Sequence, residues 1–438
     1  MRRGLVVCDS LLMLLGLPCV VSSRAEMGLH VRTLLCRWRL MHFALLAAIF
    51  LVTVFMLFYS ISQAQSPLPK SCSIRAEAPT GQTALPCSPR WELMFLKIHK
   101  TGSSTLLNVL LRYGEKHQLR FAFPDGGNDF NYPAPFQLTH VSGYRPGSCY
   151  NVIANHMRFN PAEVGRLLPR ERAYFTILRE PASLFESSFS YYAPIVPFTW
   201  SIPGQDKMAA FLRHPRAYYD PIALNGHYLR NLQFFDLGYD KDMDPADPRL
   251  EGILQKLEGT FSLVMLTEYF DESLVLLKDL LCWELEDVMY FPLNARAPSH
   301  LWRPLPELEA QARAWNGLDS RLYAHFNRTF WRKVDSYGRR RMTWEVAELR
   351  WLNGQMAGVC IEGGGLVEAS QVRERAFRPW QPMGKRSIGG YNRKAAIEEP
   401  YRALCEAMLT PEMQYMSKMG SNLWKMRLWA YFRDLINW

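Results

Sequence analysis

The chain has 438 residues, enough for one large or two modest domains with a sizeable core. Hydrophobic residues make up 48% and charged residues 21%, a globular balance that excludes a long disordered chain. The net charge is +10, and residues 1–60 hold six Lys or Arg and two Asp or Glu, which leaves +6 for the remainder. Because no stretch is dense in Lys and Arg, this charge favours small anionic ligands or a membrane surface over nucleic acid.

The first strong pattern is a run of 20 residues, 40–59, that contains no Asp, Glu, Lys or Arg. It is long enough to cross a bilayer as a helix. Three arginines precede it closely, and no cation follows until Lys70. The positive-inside rule therefore predicts a cytoplasmic tail at 1–39, a signal-anchor helix at 40–59 and a lumenal or extracellular remainder. A buried core helix is the alternative, and Met1 and Met27 are both candidate start sites.

Residues 60–90 are rich in Pro, Ser and Ala and show no apolar periodicity, which predicts a stem followed by a globular domain at 91–438. Six of the nine cysteines follow the predicted span, and an even number on the oxidising side permits disulfides. Because no C-x-x-C pair occurs among these six, a zinc site is not expected. Asn327 begins the one N-x-[ST] sequon and is a candidate glycosylation site.

The rest of the chain is organised around residues 94–114, which predict a buried strand, a polar turn and an apolar helix ended by Gly114. This arrangement points free backbone N–H groups and the positive end of a helix dipole at an anion. Lys97, His99 and Lys100 add donors beside it, so the stretch predicts a phosphate or sulfate site. It is not a Walker A loop, because Lys100 precedes the only glycine of the turn. A polar turn with a helix cap is the alternative.

Further short apolar runs alternate with helical patterns, which predicts an α/β fold with a mainly parallel sheet. The strand candidates are Tyr150 to Ala154, Ala173 to Leu178 and Phe261 to Leu266. Asp271 to Trp283 is a predicted amphipathic helix with Asp271 as its N-cap.

Arg179 follows the second of these strands, Pro181 is placed to begin a helix, and Ser187 lies about two helical turns after Arg179. An arginine at a strand end and a serine on the next helix can hold one phosphate, the first as a planar fork and the second as a hydroxyl donor. An ion pair of Arg179 with Glu180 or Glu186 is the alternative.

His156 follows the strand candidate at 150–154. In an open parallel sheet, ligands bind beyond the carboxyl ends of the strands. The loop that begins at Lys97, His156 and Arg179 are therefore predicted to meet at one edge of the sheet. A purely structural histidine is the alternative.

Several long segments resemble the galactose-3-O-sulfotransferase family, and the resemblance extends from Trp91 to Trp438. The two phosphate-binding signatures of Golgi carbohydrate sulfotransferases are resembled by LKIHKTGSST and by ILREP together with the downstream Ser187. The other segments that carry the resemblance are FAFPDGGNDFNYP, NHMRF, SYYAPIVPFTW, YLRNLQFFDLGYD, EYFDESLVLLKDLLCWELEDV and RPWQPMGKRSIGGYN. The long extension before the predicted span departs from the family pattern.

The resemblance implies a P-loop-like sulfotransferase fold in a single-pass type II Golgi membrane enzyme. It also implies transfer of sulfate from 3′-phosphoadenosine-5′-phosphosulfate (PAPS) to the 3-hydroxyl of a terminal β-galactose, with a glycolipid as the favoured acceptor. No metal or nucleic acid is expected, and a homodimer is allowed.

The family pattern also implies roles for individual residues. The expected 5′-phosphosulfate loop consists of Lys100, Thr101, Gly102, Ser103, Ser104 and Thr105. Arg179 and Ser187 would hold the 3′-phosphate, and a loop with Asn294 and Arg296 would cover the donor. The remaining candidates are His99, slightly favoured over His156, as the general base, Lys97 as support for the sulfate, and Asp129 and Tyr132 for the acceptor pocket.

Three other readings stay open. A β-galactoside sulfotransferase that acts on glycoproteins belongs to the same class, and a P-loop kinase is disfavoured by the missing Gly-Lys pair. A membrane-anchored galactose-binding protein would explain the aromatic content of 13%, but not the paired phosphate signatures. Binding of adenosine 3′,5′-bisphosphate without magnesium separates the sulfotransferases from the last two.

Overall fold

A computed structural model of the protein describes residues 87–168, 172–296, 305–381 and 388–435, together with Leu46, Phe50 and Thr53. These ranges belong to one compact unit, Ser71–Trp438, apart from the three isolated positions. Among the described residues no helix is both long and apolar enough to cross a membrane. The predicted tail, most of the predicted stem and all but three positions of the predicted span lie outside the described residues.

The secondary structure alternates short strands with helices, as the sequence predicts. The strands are β1 (Leu93–Leu96), β2 (Phe121–Ala122), β3 (Val152–Ile153), β4 (Ala173–Leu178) and β5 (Leu263–Leu266). The helices are α1 (Ser103–Lys116), α2 (Pro161–Leu167), α3 (Pro181–Tyr192), α4 (Lys207–Arg213), α5 (Pro215–Tyr218), α6 (Leu232–Asp236), α7 (Arg249–Thr260), α8 (Phe270–Leu281), α9 (Pro306–Trp315), α10 (Gly317–Tyr337), α11 (Arg339–Cys360), α12 (Tyr401–Leu409), α13 (Glu412–Lys418) and α14 (Trp424–Leu435).

The five strands form one parallel sheet in the order β2-β3-β1-β4-β5. Every residue of the strands is buried, which explains their continuous apolar sequences, because helices cover both faces of a parallel sheet. The α/β class and the three strand candidates are confirmed. Strand β1 lies between β3 and β4, so the strand order reverses beside β1. Open α/β sheets bind ligands at the carboxyl ends of the strands at such a switch point.

The predicted end of α1 at Gly114 is wrong, because the helix continues to Lys116. Gly114 is buried inside α1, where a Cβ atom would overlap the ring of Phe121 at the start of β2. The glycine therefore permits close packing of a helix on a strand and does not stop the helix.

Gly114→Ala is accordingly expected to lower the free energy of unfolding by about 1–3 kcal/mol, as overpacking of a core does. Gly354→Ala is the matched control, because Gly354 also lies inside a helix, but a Cβ atom there would have no described neighbour within 4 Å. This control should gain up to about 1 kcal/mol from better helix propensity. Chemical denaturation of both variants tests the prediction, and equal stability changes would contradict it.

The predicted N-cap at Asp271 is also wrong by two positions. Helix α8 begins at Phe270 with Tyr269 as its N-cap, and Asp271 lies in the first turn. There its carboxylate accepts hydrogen bonds from the Tyr290 hydroxyl at 2.8 Å and from Arg350 Nε at 2.6 Å. The Asp271 carboxylate thus binds side chains from other parts of the chain and does not cap the N-terminal N–H groups of α8.

Two disulfides, Cys87–Cys282 and Cys360–Cys405, confirm that the even cysteine count serves cross-links. The first ties the start of the described domain to the end of α8, and the second ties α11 to α12. Asn327 lies within α10 and is half-buried, and its glycosylation stays a prediction.

Candidate active site

A cavity of about 640 Å³ opens at the carboxyl end of β1 and β4. We call it the main cavity. Its wall includes most of the predicted site residues, from the loop after β1, from the ends of β3 and β4, from α3, and from the segment before the undescribed residues 297–304. Those residues are Lys97, His99, Lys100, Gly102, Ser103, Ser104, Thr105, Asp129, His156, Arg179, Ser187, Asn294 and Arg296. The volume is typical of a site for a nucleotide-sized ligand.

The loop between β1 and α1 has the backbone shape of an anion site. Lys100 (φ 62°) and Gly102 (φ 74°) both adopt the left-handed conformation, which brings the chain sharply round into α1. Thr101 and Ser103 fix this turn by donating their hydroxyls to the Ile98 carbonyl at 3.0 and 2.8 Å. No described side chain caps α1, so the first N–H groups of the helix are left for a ligand.

Positive charge converges on this loop. Arg179 Nη1 donates to the Lys100 carbonyl at 3.0 Å, so the arginine also holds the strained turn. The Lys100 ammonium lies 3.8 Å from the centre of the Tyr191 ring. Burial, and then the charges of Arg179, Arg296 and Lys97, lower the pKa of Lys100 to about 7. A set of cations that raise one another's energy in this way is stabilised by an anionic ligand.

The alternative for Arg179, an ion pair with a neighbouring glutamate, is not the arrangement seen. Glu180 caps α3 and pairs with Arg313, while Glu186 accepts both Nη groups of Arg296. Arg179 is instead fixed through its backbone, because the Gln233 amide accepts from its N–H at 2.8 Å and donates to its carbonyl at 3.0 Å.

The segment with Asn294 and Arg296 lies over the start of α1. Leu293 N donates to Thr105 Oγ1 at 2.9 Å, and Asn294 Nδ2 donates to Ser104 Oγ at 2.9 Å. Ser104 Oγ in turn donates to Glu412 Oε2 at 2.6 Å. Leu293 and Asn294 therefore contact the start of α1, whereas Arg296 pairs with Glu186 of α3, and a covering role for this loop stays a prediction. Ser103 to Thr105 form the first turn of the helix instead of the turn before it.

His99 is paired with a buried carboxylate that lies 137 residues away in the sequence. Asp236 Oδ2 accepts from the His99 backbone N–H at 2.9 Å and from Nδ1 at 2.8 Å. Nδ1 therefore carries a proton, and Nε2, which has no hydrogen-bond partner among the described residues, keeps a free lone pair. Tyr132 donates its hydroxyl to the other oxygen of Asp236 at 2.7 Å. This is the geometry of an oriented general base.

His156 lies beside His99, with the two rings stacked 3.8 Å apart, but its nitrogens are both occupied. Nδ1 donates to the Lys97 carbonyl at 2.7 Å, and Nε2 accepts from Lys97 Nζ at 2.8 Å. Burial, followed by the charges of His99 and Lys97, holds the pKa of His156 well below its usual range. Lys97 Nζ also contacts Glu412 Oε2 at 3.2 Å. His156 thus orients a buried lysine and has no lone pair to spare.

Of the two candidates for the acceptor pocket, Asp129 lines the main cavity, whereas Tyr132 lies behind His99 with its hydroxyl on Asp236. The His99 and Tyr132 rings are 4.5 Å apart. Burial raises the pKa of Asp129, so the protein interior disfavours the charged form of this carboxylate.

The short helix α6 links the two halves of the site, because it carries both Gln233, which holds Arg179, and Asp236, which holds His99. Its first N–H groups donate to the buried Asp319 carboxylate, from Gln233 at 3.2 Å and from Phe234 at 2.9 Å. Asn231, just before the helix, accepts from the backbone of Leu318 and Asp319. Helix α10 thereby fixes α6 in place.

Four residues of this arrangement are missing from the sequence-based site: Gln233, Asp236, Asp319 and Glu412. They lie far along the chain from their partners, and none belongs to a charge pattern or motif that marks it. The one signal is that Gln233 and Asp236 fall within YLRNLQFFDLGYD, a segment that carries the family resemblance. In the described part of the chain, no group of three or more His, Cys, Asp or Glu is placed to hold a metal ion.

Comparison with known proteins identifies close relatives. The sequence model of galactose-3-O-sulfotransferase matches residues 29–423. Galactosylceramide sulfotransferase of Homo sapiens is 54% identical over 365 residues, which cover 83% of this chain and 85% of that protein. The Bos taurus protein of the same name is 54% identical over 375 residues, covering 85% and 88%. Galactose-3-O-sulfotransferase 2 of Sus scrofa is 40% identical over 337 residues, covering 76% and 84%.

Proposed function

Because this chain belongs to the galactose-3-O-sulfotransferase family and is thus a sulfotransferase, we propose that it sulfates galactosylceramide and lactosylceramide at O3 of the terminal β-galactose, with PAPS as the donor. The 54% identity to galactosylceramide sulfotransferases over most of both chains supports this acceptor. The single structural observation that carries the chemistry is the His99–Asp236 pair beside a cationic, uncapped helix start.

The donor would lie in the main cavity, with its 5′-phosphosulfate on the Lys100–Thr105 loop and its 3′-phosphate on Arg179 and Ser187. Ser187 is buried near the middle of α3 and lines this cavity together with Arg179. A planar guanidinium, a hydroxyl and free helix N–H groups are the donors that phosphate and sulfate oxygens accept best. The residues present therefore fit this donor.

Transfer forms a bond between sulfur and the galactose O3 as the bond between sulfur and the nucleotide phosphate oxygen breaks. His99 Nε2 takes the proton of the O3 hydroxyl, and Asp236 stabilises the imidazolium that results. Lys100 and the first N–H groups of α1 stabilise the negative charge that grows on the departing phosphate. Lys97, held by His156 and Glu412, supports the sulfate oxygens.

We further propose that residues 40–59 anchor the enzyme in the Golgi membrane with the catalytic domain in the lumen. The disulfides Cys87–Cys282 and Cys360–Cys405 support an oxidising compartment, since cytosolic thiols are kept reduced.

A sulfate-transfer assay with radiolabelled PAPS tests the acceptor assignment. Galactosylceramide and lactosylceramide should both be sulfated at O3, whereas glucosylceramide should react with a kcat/KM about 10- to 100-fold lower. The reason is that the altered 4-hydroxyl would leave a buried polar group unpaired, at a cost of about 1–3 kcal/mol.

Linkage analysis of the product provides the decisive control. Sulfate on O6, or equal rates with glucosylceramide, would contradict the assignment. A clear preference for a galactose-terminated N-glycan would preserve the chemistry and replace the lipid acceptor by a glycoprotein.

A further inference from the structure

Three large apolar side chains project into solvent near segment 193–199, which directly follows Tyr192 at the wall of the main cavity. Trp200 is 63% exposed, Ile222 91% and Leu224 72%. We define these three residues as the tip surface. Single exposed apolar residues are ordinary, but an almost fully exposed isoleucine beside a second aliphatic residue and a tryptophan indicates an interaction site.

Segment 193–199 holds Trp200 directly and also holds Asn225, the residue that follows Leu224. Trp200 Nε1 donates to the Pro194 carbonyl at 3.0 Å, and the Asn225 amide donates to the Ile195 carbonyl at 2.9 Å. The turn that carries Ile222 is also closed internally, because Ile222 N donates to Asp220 Oδ1 at 3.0 Å. The tip surface is therefore a rigid projection and not a loose loop.

These hydrogen bonds matter for the environment that the tip surface can enter. A tryptophan with a free indole N–H, or a turn with free backbone N–H groups, loses hydrogen bonds to water in an apolar phase. Here the indole donor and the Ile222 N–H already have partners within the protein. The apolar side chains can thus enter the interfacial region of a bilayer without that cost.

Cations surround this projection. Helices α4 and α5 carry Lys207, Arg213 and Arg216, of which the two arginines are exposed, and Lys207 Nζ donates to the Trp200 carbonyl at 3.2 Å. Of the acidic residues nearby, Asp206 is the N-cap of α4 and Asp220 accepts a backbone hydrogen bond in the turn described above. Asp242 is ion-paired with Lys241, whose Nζ donates to the Pro221 carbonyl. An apolar tip rimmed by arginines matches the acyl boundary and the phosphates of lipid headgroups.

Aromatic rings connect the start of segment 193–199 to the proposed base. Segment 193–199 directly follows Tyr192, whose ring stacks on Tyr228 at 3.8 Å, and the Tyr228 ring lies 5.4 Å from that of His99. Tyr192 and Tyr228 both line the main cavity. The segment that adjoins the tip surface therefore begins at the cavity wall beside the proposed base.

Resting on the proposed function, we propose that Trp200, Ile222 and Leu224 dock on the bilayer that holds the acceptor glycolipid. The surface places the main cavity at headgroup height, so that a galactose can enter while its lipid chains stay in the membrane. It would govern the use of membrane-embedded acceptors and have no part in the transfer itself.

The first test measures depth directly. The full-length chain is reconstituted into phosphatidylcholine vesicles that contain galactosylceramide, and tryptophan emission is quenched with brominated phosphatidylcholine. Trp200→Phe should reduce the quenchable fraction of the emission. Trp344→Phe and Trp351→Phe are matched controls, because these tryptophans of α11 are exposed to the same extent, 64% and 62%, but lie outside the tip surface. An unchanged quenchable fraction in Trp200→Phe would overturn the proposal.

The second test measures use of the acceptor by the double variant Ile222→Ser/Leu224→Ser in the same vesicles. Its KM for galactosylceramide should rise roughly tenfold or more, because two apolar side chains no longer enter the lipid, whereas kcat/KM for a water-soluble β-galactoside should stay within about twofold. Equal losses on both acceptors, or no loss, would point to a protein partner or a structural role and overturn the proposal. A wild-type chain that sulfates neither acceptor would refute the proposed function instead, and the quenching test would still decide the tip surface.

Discussion

His99→Ala is expected to lower kcat by about 10²–10⁴-fold, the usual contribution of a general base, while the affinity for adenosine 3′,5′-bisphosphate stays within about twofold. The loss in kcat without a loss of nucleotide affinity follows from the position of His99. Its Nε2 has no hydrogen-bond partner among the described residues, and its Nδ1 bonds to Asp236 and not to the loop that would hold the donor. Steady-state kinetics with galactosylceramide, together with calorimetry for the nucleotide, measure the two quantities separately.

The neighbouring histidine provides a matched control. A glutamine at position 156 can still donate to the Lys97 carbonyl and accept from Lys97 Nζ, the two bonds that His156 makes. His156→Gln should therefore keep more than about a tenth of kcat, whereas His99→Gln should not, because an amide cannot take up a proton. If the two glutamine variants lose equal activity, or His156→Gln loses more, the assignment of the base is wrong.

Asp236 should matter through the orientation of His99. In Asp236→Asn the side chain no longer imposes a proton on Nδ1 and cannot stabilise an imidazolium, so kcat should fall. The double variant His99→Ala/Asp236→Asn should have a kcat only slightly lower than that of His99→Ala, because both substitutions disrupt the same His99–Asp236 pair. Additive losses would show that Asp236 acts elsewhere.

The parts of this site that sequence predicts are local ones. A strand, a turn with one glycine and an apolar helix are contiguous in the chain, so their residues identify the loop after β1. Arg179 and Ser187 are also local, since Arg179 follows the end of a strand and Ser187 lies on the helix that begins two residues later. The common edge follows from the rule for parallel sheets, and the structure confirms it with β3, β1 and β4 side by side.

The partners of those residues could not be predicted in the same way. Asp236 reaches His99 across 137 residues, and Glu412 reaches Ser104 across 308, so only the packing of distant helices brings them together. For Gly114, a local rule gives the wrong prediction. Its sequence position satisfies a helix-ending rule, but a tertiary contact with Phe121 decides its role. Local rules thus place the groups that touch the ligand, and tertiary packing decides how those groups are held.

Lys100→Ala is expected to lower kcat by about 10²–10³-fold, the effect of losing one positioned donor to a developing negative charge. Because burial and neighbouring cations lower the pKa of Lys100 to about 7, its charged form opposes folding, as the unfolded chain binds that proton more tightly between pH 7 and 10.5. Removing it should therefore not lower the thermal midpoint at neutral pH. A variant that is folded and fully active would refute the role of this loop.

The same lowered pKa predicts a pH dependence of donor binding. A bound phosphate favours the charged lysine and raises its pKa, so binding takes up a proton above pH 7, and the Kd of adenosine 3′,5′-bisphosphate should rise by up to about tenfold per pH unit there. Lys100→Arg keeps its charge throughout this range and should bind with a Kd that is nearly constant between pH 7 and 9. Any titration of the nucleotide itself is common to both proteins and cancels in the comparison. Calorimetry in buffers of different ionisation enthalpy should show proton uptake with the wild-type chain and not with Lys100→Arg. Parallel pH profiles for the two proteins would mean that Lys100 is already charged, or does not contact the phosphate.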